Sequence, residues 1–98
     1  MAKFVMLINY TDKGILHFQQ FAQRMEHARQ GAKELGASIE SFHLTMGSYD
    51  AVVIFEAPDD ETAARLALTN AANGRVRTTT MRAFDEAETI AIGEQLPG

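Results

Sequence analysis

The side chains able to do chemistry gather around one turn. Gly47-Ser48-Tyr49-Asp50 joins two apolar runs and sets a phenol beside a carboxylate, with His43 shortly upstream. Carboxylates and imidazoles are common general acids and bases, and histidine alone has an unperturbed pKa near neutrality. His43, Tyr49 and Asp50 are therefore the catalytic candidates. Each also has a structural reading. Gly47 permits the turn, Asp50 bonds turn amides, Tyr49 packs on the sheet edge, and His43 is a hydrogen-bonded histidine at an interface. Asn9, Tyr10, Thr45 and Arg77 are candidates for ligand binding. An arginine can hold a carboxylate or phosphate through two parallel bonds; the alternative for Arg77 is pairing with Asp50, Asp59 or Glu56. No P-loop, dinucleotide-binding glycine motif or Ser/His/Asp order is present. The chain has no cysteine, and no His/Asp/Glu group has ligand spacing, so neither a metal site nor a cofactor is expected.

The elements that must position these residues are legible in the patterning. Lys3–Tyr10 is an apolar run of strand length, and Thr11 or Asp12 can cap a following helix. Ile15, Phe18, Phe21, Ala22, Met25, Ala28, Ala32 and Leu35 recur at three- and four-residue steps, which predicts one long amphipathic helix over Ile15–Leu35, closed by Gly36. Ser38–Met46 reads as a strand that alternates Ile39, Ser41, His43 and Thr45 against Glu40, Phe42, Leu44 and Met46. Asp50–Ala57 is a third strand, apolar on both faces. Pro58-Asp59-Asp60-Glu61 starts a helix over Glu61–Ala72, with Ala63, Ala64, Ala67, Leu68 and Ala71 expected inside. Arg75–Phe84 is a β-branched fourth strand, and Asp85 with Glu88 has capping-box spacing before a short last helix.

The order β-α-β-β-α-β predicts a single ferredoxin-like α+β domain over residues 1–98, with an antiparallel sheet in the order 4-1-3-2. Right-handed crossovers put both long helices on one face. The other face then has no element left to cover it, although the first and third strands are apolar on both sides. Pairing with a second copy is the simplest cover; the alternative is a monomer with its C-terminal helix as a lid.

Composition narrows the function classes. The net charge is 9 − 13 = −4, against the basic patch that nucleic-acid binding requires. No apolar run reaches the ~20 residues of a membrane span. Met1 leads directly into a strand pattern with no leader-like stretch, so a complete cytoplasmic protein is expected.

Four segments carry a family likeness. Met46-Gly47-Ser48-Tyr49-Asp50 contains Gly-x-Tyr-Asp; it is followed by Glu56-Ala57-Pro58-Asp59-Asp60 and by Arg77-Thr78-Thr79-Thr80-Met81-Arg82-Ala83-Phe84. Leu7-Ile8-Asn9-Tyr10-Thr11-Asp12-Lys13-Gly14 matches as well. Over about residues 3–90 the chain resembles the GYD-domain family of small bacterial and archaeal proteins. The resemblance implies a dimeric α+β barrel. Fold relatives of that type include monooxygenases, haem-degrading enzymes, isomerases and ligand-sensing domains. It thus implies a homodimeric small-molecule-binding protein or a cofactor-independent monooxygenase- or isomerase-like enzyme. The alternative is a non-enzymatic ligand-sensing or protein-assembly module.

Overall fold

A computed structural model describes all residues, 1–98. Four strands, β1 (Ala2–Tyr10), β2 (Ser38–Leu44), β3 (Ala51–Ala57) and β4 (Val76–Ala83), form one antiparallel sheet in the order β2-β3-β1-β4. Four helices accompany it: α1 (Asp12–Ile15), α2 (Phe21–Glu34), α3 (Asp60–Ala71) and α4 (Glu86–Glu94). Helices α2 and α3 pack on one sheet face. The core there comes from alternate residues of the two central strands: Phe4, Met6 and Ile8 of β1 and Ala51, Val53, Phe55 and Ala57 of β3, joined by Ala32, Ala63 and Leu66. The intervening residues Val5, Leu7, Val52 and Ile54 point to the opposite face, which no helix covers.

The long helix expected over Ile15–Leu35 is broken. Leu16 is extended (φ −60°, ψ 132°), and His17 adopts the left-handed conformation (φ 60°) before a 3₁₀ turn at Phe18–Gln20. Two interactions outweigh helix continuity. Phe18 turns edge-on to Tyr10 at 5.2 Å between ring centroids and stacks on Phe21 at 5.5 Å. The carbonyls of Gly14 and Leu16, freed by the break, each accept a hydrogen bond from the Arg24 guanidinium at 3.3 Å.

The regular alternation expected in the second strand is interrupted as well. The β2–β3 register shifts between Ile39 and Ser41, leaving Glu40 as an extra residue. Ile39 and Phe42 therefore both face the helices, whereas Ser41 and His43 lie on the uncovered face, opposite Ile54 and Val52. The displaced Glu40 accepts from Lys3 Nζ at 2.7 Å. Helix α3 is turned relative to expectation: Thr62, Ala63 and Leu66 are buried, and Leu68 is 71% exposed.

Asp85 and Glu88 form the capping box at the start of α4, with Asp85 Oδ1 accepting from Glu88 N at 2.8 Å and Glu88 Oε1 accepting from Asp85 N at 3.0 Å. Every residue of α4 except Glu88 is exposed, including Ile90 and Ile92. The helix does not close over the bare sheet face. It draws the molecule out to 54 Å and the radius of gyration to 14.9 Å, against about 13 Å for a globular domain of this length.

Candidate functional site

Between the helices and the sheet lies a cavity of about 310 Å³. It follows from the local features just described. The break before α2 turns Phe18 and Phe21 across the end of the sheet, and the β2 bulge brings Ile39 and Phe42 into the same layer; Phe21 and Phe42 meet at 4.7 Å. Small residues on the facing helices, such as Ala28, leave the space between them unfilled. Most of the lining is apolar: Met6, Ile8, Val53 and Phe55 form the floor, and Phe18, Phe21 and Met25 face them. The exposed residues His27, Thr69 and Asn73 mark the rim.

The charged lining is one-sided. Arg24 and Arg75 contribute to it, and no Asp or Glu does. Neither arginine forms an ion pair with a carboxylate. Arg75 Nε is buried with no hydrogen-bond partner. The Arg75 backbone is firmly placed: its N–H donates to Asn73 Oδ1 at 3.0 Å, and its carbonyl accepts from Thr11 N at 3.0 Å.

Tyr10 also lines the cavity. Its phenol pKa is raised above the usual 10.0, first by burial and then by the nearby Asp50 charge. The folded state therefore holds this proton more tightly than the unfolded chain does. The associated stability is fully present below pH 10.0 and is lost as pH rises through the folded pKa. In a spectrophotometric phenolate titration, the native protein should show an ionisation above pH 10.0 that disappears in Tyr10→Phe. Absence of that late step would remove the burial assigned to the ring.

The seven residues singled out from the sequence fall into three places. Tyr10 is in the cavity. Asn9, His43 and Arg77 lie on the uncovered face, with Asn9 directly across from Arg77 in the β1–β4 pair. Thr45, Tyr49 and Asp50 form the β2–β3 connection. There Thr45 Oγ1 donates to the Tyr49 carbonyl at 2.6 Å, Asp50 Oδ2 accepts from Tyr10 N at 2.9 Å, and Asp50 N donates to Ile8 O at 2.8 Å. Asp50 thus ties the hairpin to the end of β1. Asp50→Ala leaves the Tyr10 amide without its acceptor, for an expected loss of about 1–2 kcal/mol, or roughly 5–15 °C in Tm for a domain of this size. Thermal denaturation checks this, and an unchanged Tm would free Asp50 for a role other than structure.

Of the two lining charges, Arg24 is the one that patterning did not select; Arg75 belongs to the strand ends that the topology gathers with Tyr10 and Asp50 at one edge of the sheet. Arg24 lies three residues after Phe21 and four before Ala28, within the apolar stripe itself, a position where an arginine signals a buried or capping role. Arg75 directly follows the Asn73-Gly74 turn, and nothing in its spacing distinguishes it from Arg77.

No group of three or more His, Cys, Asp or Glu side chains is placed to hold a metal ion, and no helix is long and apolar enough to cross a membrane. The architecture is that of a small α+β domain with one half-covered antiparallel sheet, and the chain belongs to the GYD domain family, whose profile matches residues 4–92. It is 32% identical over 92 residues to the glutamine synthetase and cystathionine beta-lyase binding protein of Thermus thermophilus, spanning 93% of this chain and 97% of that protein. The crystal structure of FFRP-DM1 superposes with a TM-score of 0.56 at 17% identity, covering 86% of this chain and all of that one; this likeness concerns the fold alone.

Proposed function

We propose that the protein is a homodimeric binding module that docks onto partner proteins, built by packing the uncovered sheet faces of two copies together as a dimeric α+β barrel. The observation that carries this reading is the second face of the sheet. Val5, Leu7, Val52 and Ile54 on the central strands and Met81 on β4 form an apolar surface with no element of the chain over it. Strands apolar on both sides are ordinarily buried on both sides. A surface of this kind is the usual mark of a protein interface. A twofold pairing would also place Ser41, His43, Asn9 and Arg77 at the rim of the contact, where polar side chains belong. Helix α4 is unpartnered as well: Ile90 and Ile92, on opposite sides of it, are 54% and 48% exposed.

The protein-binding part of the reading is supported by the Thermus relative, whose name records two enzymes that it binds. Glutamine synthetase and cystathionine beta-lyase are accordingly the first partners to test. Sedimentation of the purified chain at micromolar concentration should give twice 10.8 kDa, and mixing with each purified enzyme should give a heavier co-sedimenting species. A chain that stays at 10.8 kDa would overturn the dimer. One that binds neither enzyme would overturn this choice of partners.

A second reading is favoured by the helix–sheet cavity. At about 310 Å³ it has the size of a small ligand site, and its mostly apolar wall with a few charged groups has the composition of one. In this reading each protomer also holds a small molecule, so the module senses a metabolite.

A further inference from the structure

We infer that the cavity between the helices and the sheet binds an apolar monocarboxylic acid, with Arg75 holding the carboxylate and the hydrocarbon part lying among Met6, Phe21, Phe42 and Phe55. The inference deepens the small-molecule reading above and rests on it. Its starting point is a charge imbalance. The chain as a whole is acidic, at −4, yet the cavity is lined by two arginines and by no carboxylate. Arg24 has part of its hydrogen-bonding capacity taken by the Gly14 and Leu16 carbonyls, which fix its position and leave its charge uncompensated. Arg75 makes no side-chain hydrogen bond or ion pair, and its Nε is buried without a partner. A buried guanidinium N–H with no acceptor is costly. A planar carboxylate is the group whose two oxygens match the guanidinium fork.

Size and wall chemistry define the rest of the ligand. At roughly 30 Å³ per water-sized group, 310 Å³ holds about ten non-hydrogen atoms. The remaining lining is mostly aliphatic or aromatic; besides the Tyr10 phenol, its other polar side chains are His27, Thr69, Asn70 and Asn73, fewer partners than a polyhydroxylated ligand needs. A medium-chain or aromatic monocarboxylate meets both conditions, whereas an amine would bring a cation towards two others.

The test compares octanoate with octanamide and octylamine, which share its length and differ in charge. Isothermal titration into the full chain should show octanoate binding one per protomer, at least tenfold more tightly than octanamide, with no detectable octylamine binding. In Arg75→Gln, octanoate affinity should fall to that of octanamide, and octanamide affinity should stay as in the wild type. Leu7→Lys, on the other sheet face and expected to separate the protomers, should still bind octanoate as the wild type does, because the cavity lies within one protomer; if it abolishes binding, the ligand sits on or across the open face and the assignment to this cavity is wrong. Equal affinity of the wild type for octanoate and octanamide would overturn the carboxylate–arginine assignment while leaving a small-molecule site. Failure of all three compounds to bind would overturn both. The comparison within the wild type decides the matter even if Arg75→Gln does not fold.

Discussion

Leu7→Lys and Ile54→Lys are each expected to convert the protein into a 10.8 kDa monomer with its fold intact. Both residues lie on the central strands of the uncovered sheet face, at adjacent positions in the β1–β3 register, where Val5 pairs with Ile54 and Leu7 with Val52. In a twofold contact each substitution appears twice. Burying an unpaired ammonium costs several kcal/mol, so two copies together are expected to weaken association by about 6 kcal/mol, or roughly ten-thousand-fold. The isolated protomer bears little of that penalty, because in it this face meets solvent. Its core is on the opposite side, where Met6 and Phe55 are 1% and 0% exposed. Circular dichroism should therefore be unchanged while the sedimentation coefficient falls. Wild-type sedimentation in both variants would place the contact elsewhere, with α4 the remaining unpartnered element.

The second large effect is expected at Gly14. This glycine is buried in α1, and a Cβ built on it would overlap the Arg75 carbonyl oxygen and lie 2.9 Å from the Arg75 carbonyl carbon. The neighbour is backbone and cannot rotate away. It is also latched in place: Thr11 N donates to Arg75 O at 3.0 Å, Thr11 Oγ1 to Gly74 O at 2.6 Å, and Lys13 Nζ to Asn73 O at 2.7 Å. Gly14→Ala must separate α1 from the start of β4 and break part of this set. The expected loss is about 3 kcal/mol, or roughly 12–24 °C in Tm, and Arg75 should move with it. Gly31→Ala is the control. Gly31 lies within α2, and its added methyl meets nothing within 4 Å, so the same change there should raise stability by about 0.5–1 kcal/mol. Equal Tm values for the two variants would show that the approach of Gly14 to Arg75 is not tight.

Much of the fold was readable because short-range physics dictates it. The two-residue period of β1 and β3 predicts which of their side chains face each way, and the structure agrees residue by residue: Phe4, Met6 and Ile8 are buried, and Val5 and Leu7 lie opposite. Asp59 caps α3, accepting from Thr62 N at 2.8 Å, and Asp85 caps α4, as the spacing of acidic residues at these starts predicts. The readings that failed turn on contacts between segments, which the periodicity within one segment does not report. The apolar stripe from Ile15 to Leu35 has helical spacing, but Tyr10 and Arg24 favour a break at His17. Ile39 through Thr45 alternates regularly, but pairing with β3 inserts Glu40 as an extra residue. The site was less legible for the same reason. Tyr10, Arg24 and Arg75 are brought to one cavity by β1, by α2 and by the turn before β4, whereas the compact Tyr49-Asp50 pair, conspicuous in sequence, is spent in part on tying a hairpin to β1.

By itself the sequence determined the family, the order of strands and helices, the caps, and the presence of a strand pair apolar on both sides. These depend on residues near one another along the chain, or on periods of two and of three to four. Only the tertiary structure decided where the first helix breaks, on which face His43 lies, that α4 stands clear of the sheet, and that two arginines share a mostly apolar cavity without a carboxylate. Those outcomes are settled by packing and hydrogen bonding between different segments of the chain, and the spacing within one segment carries no record of them.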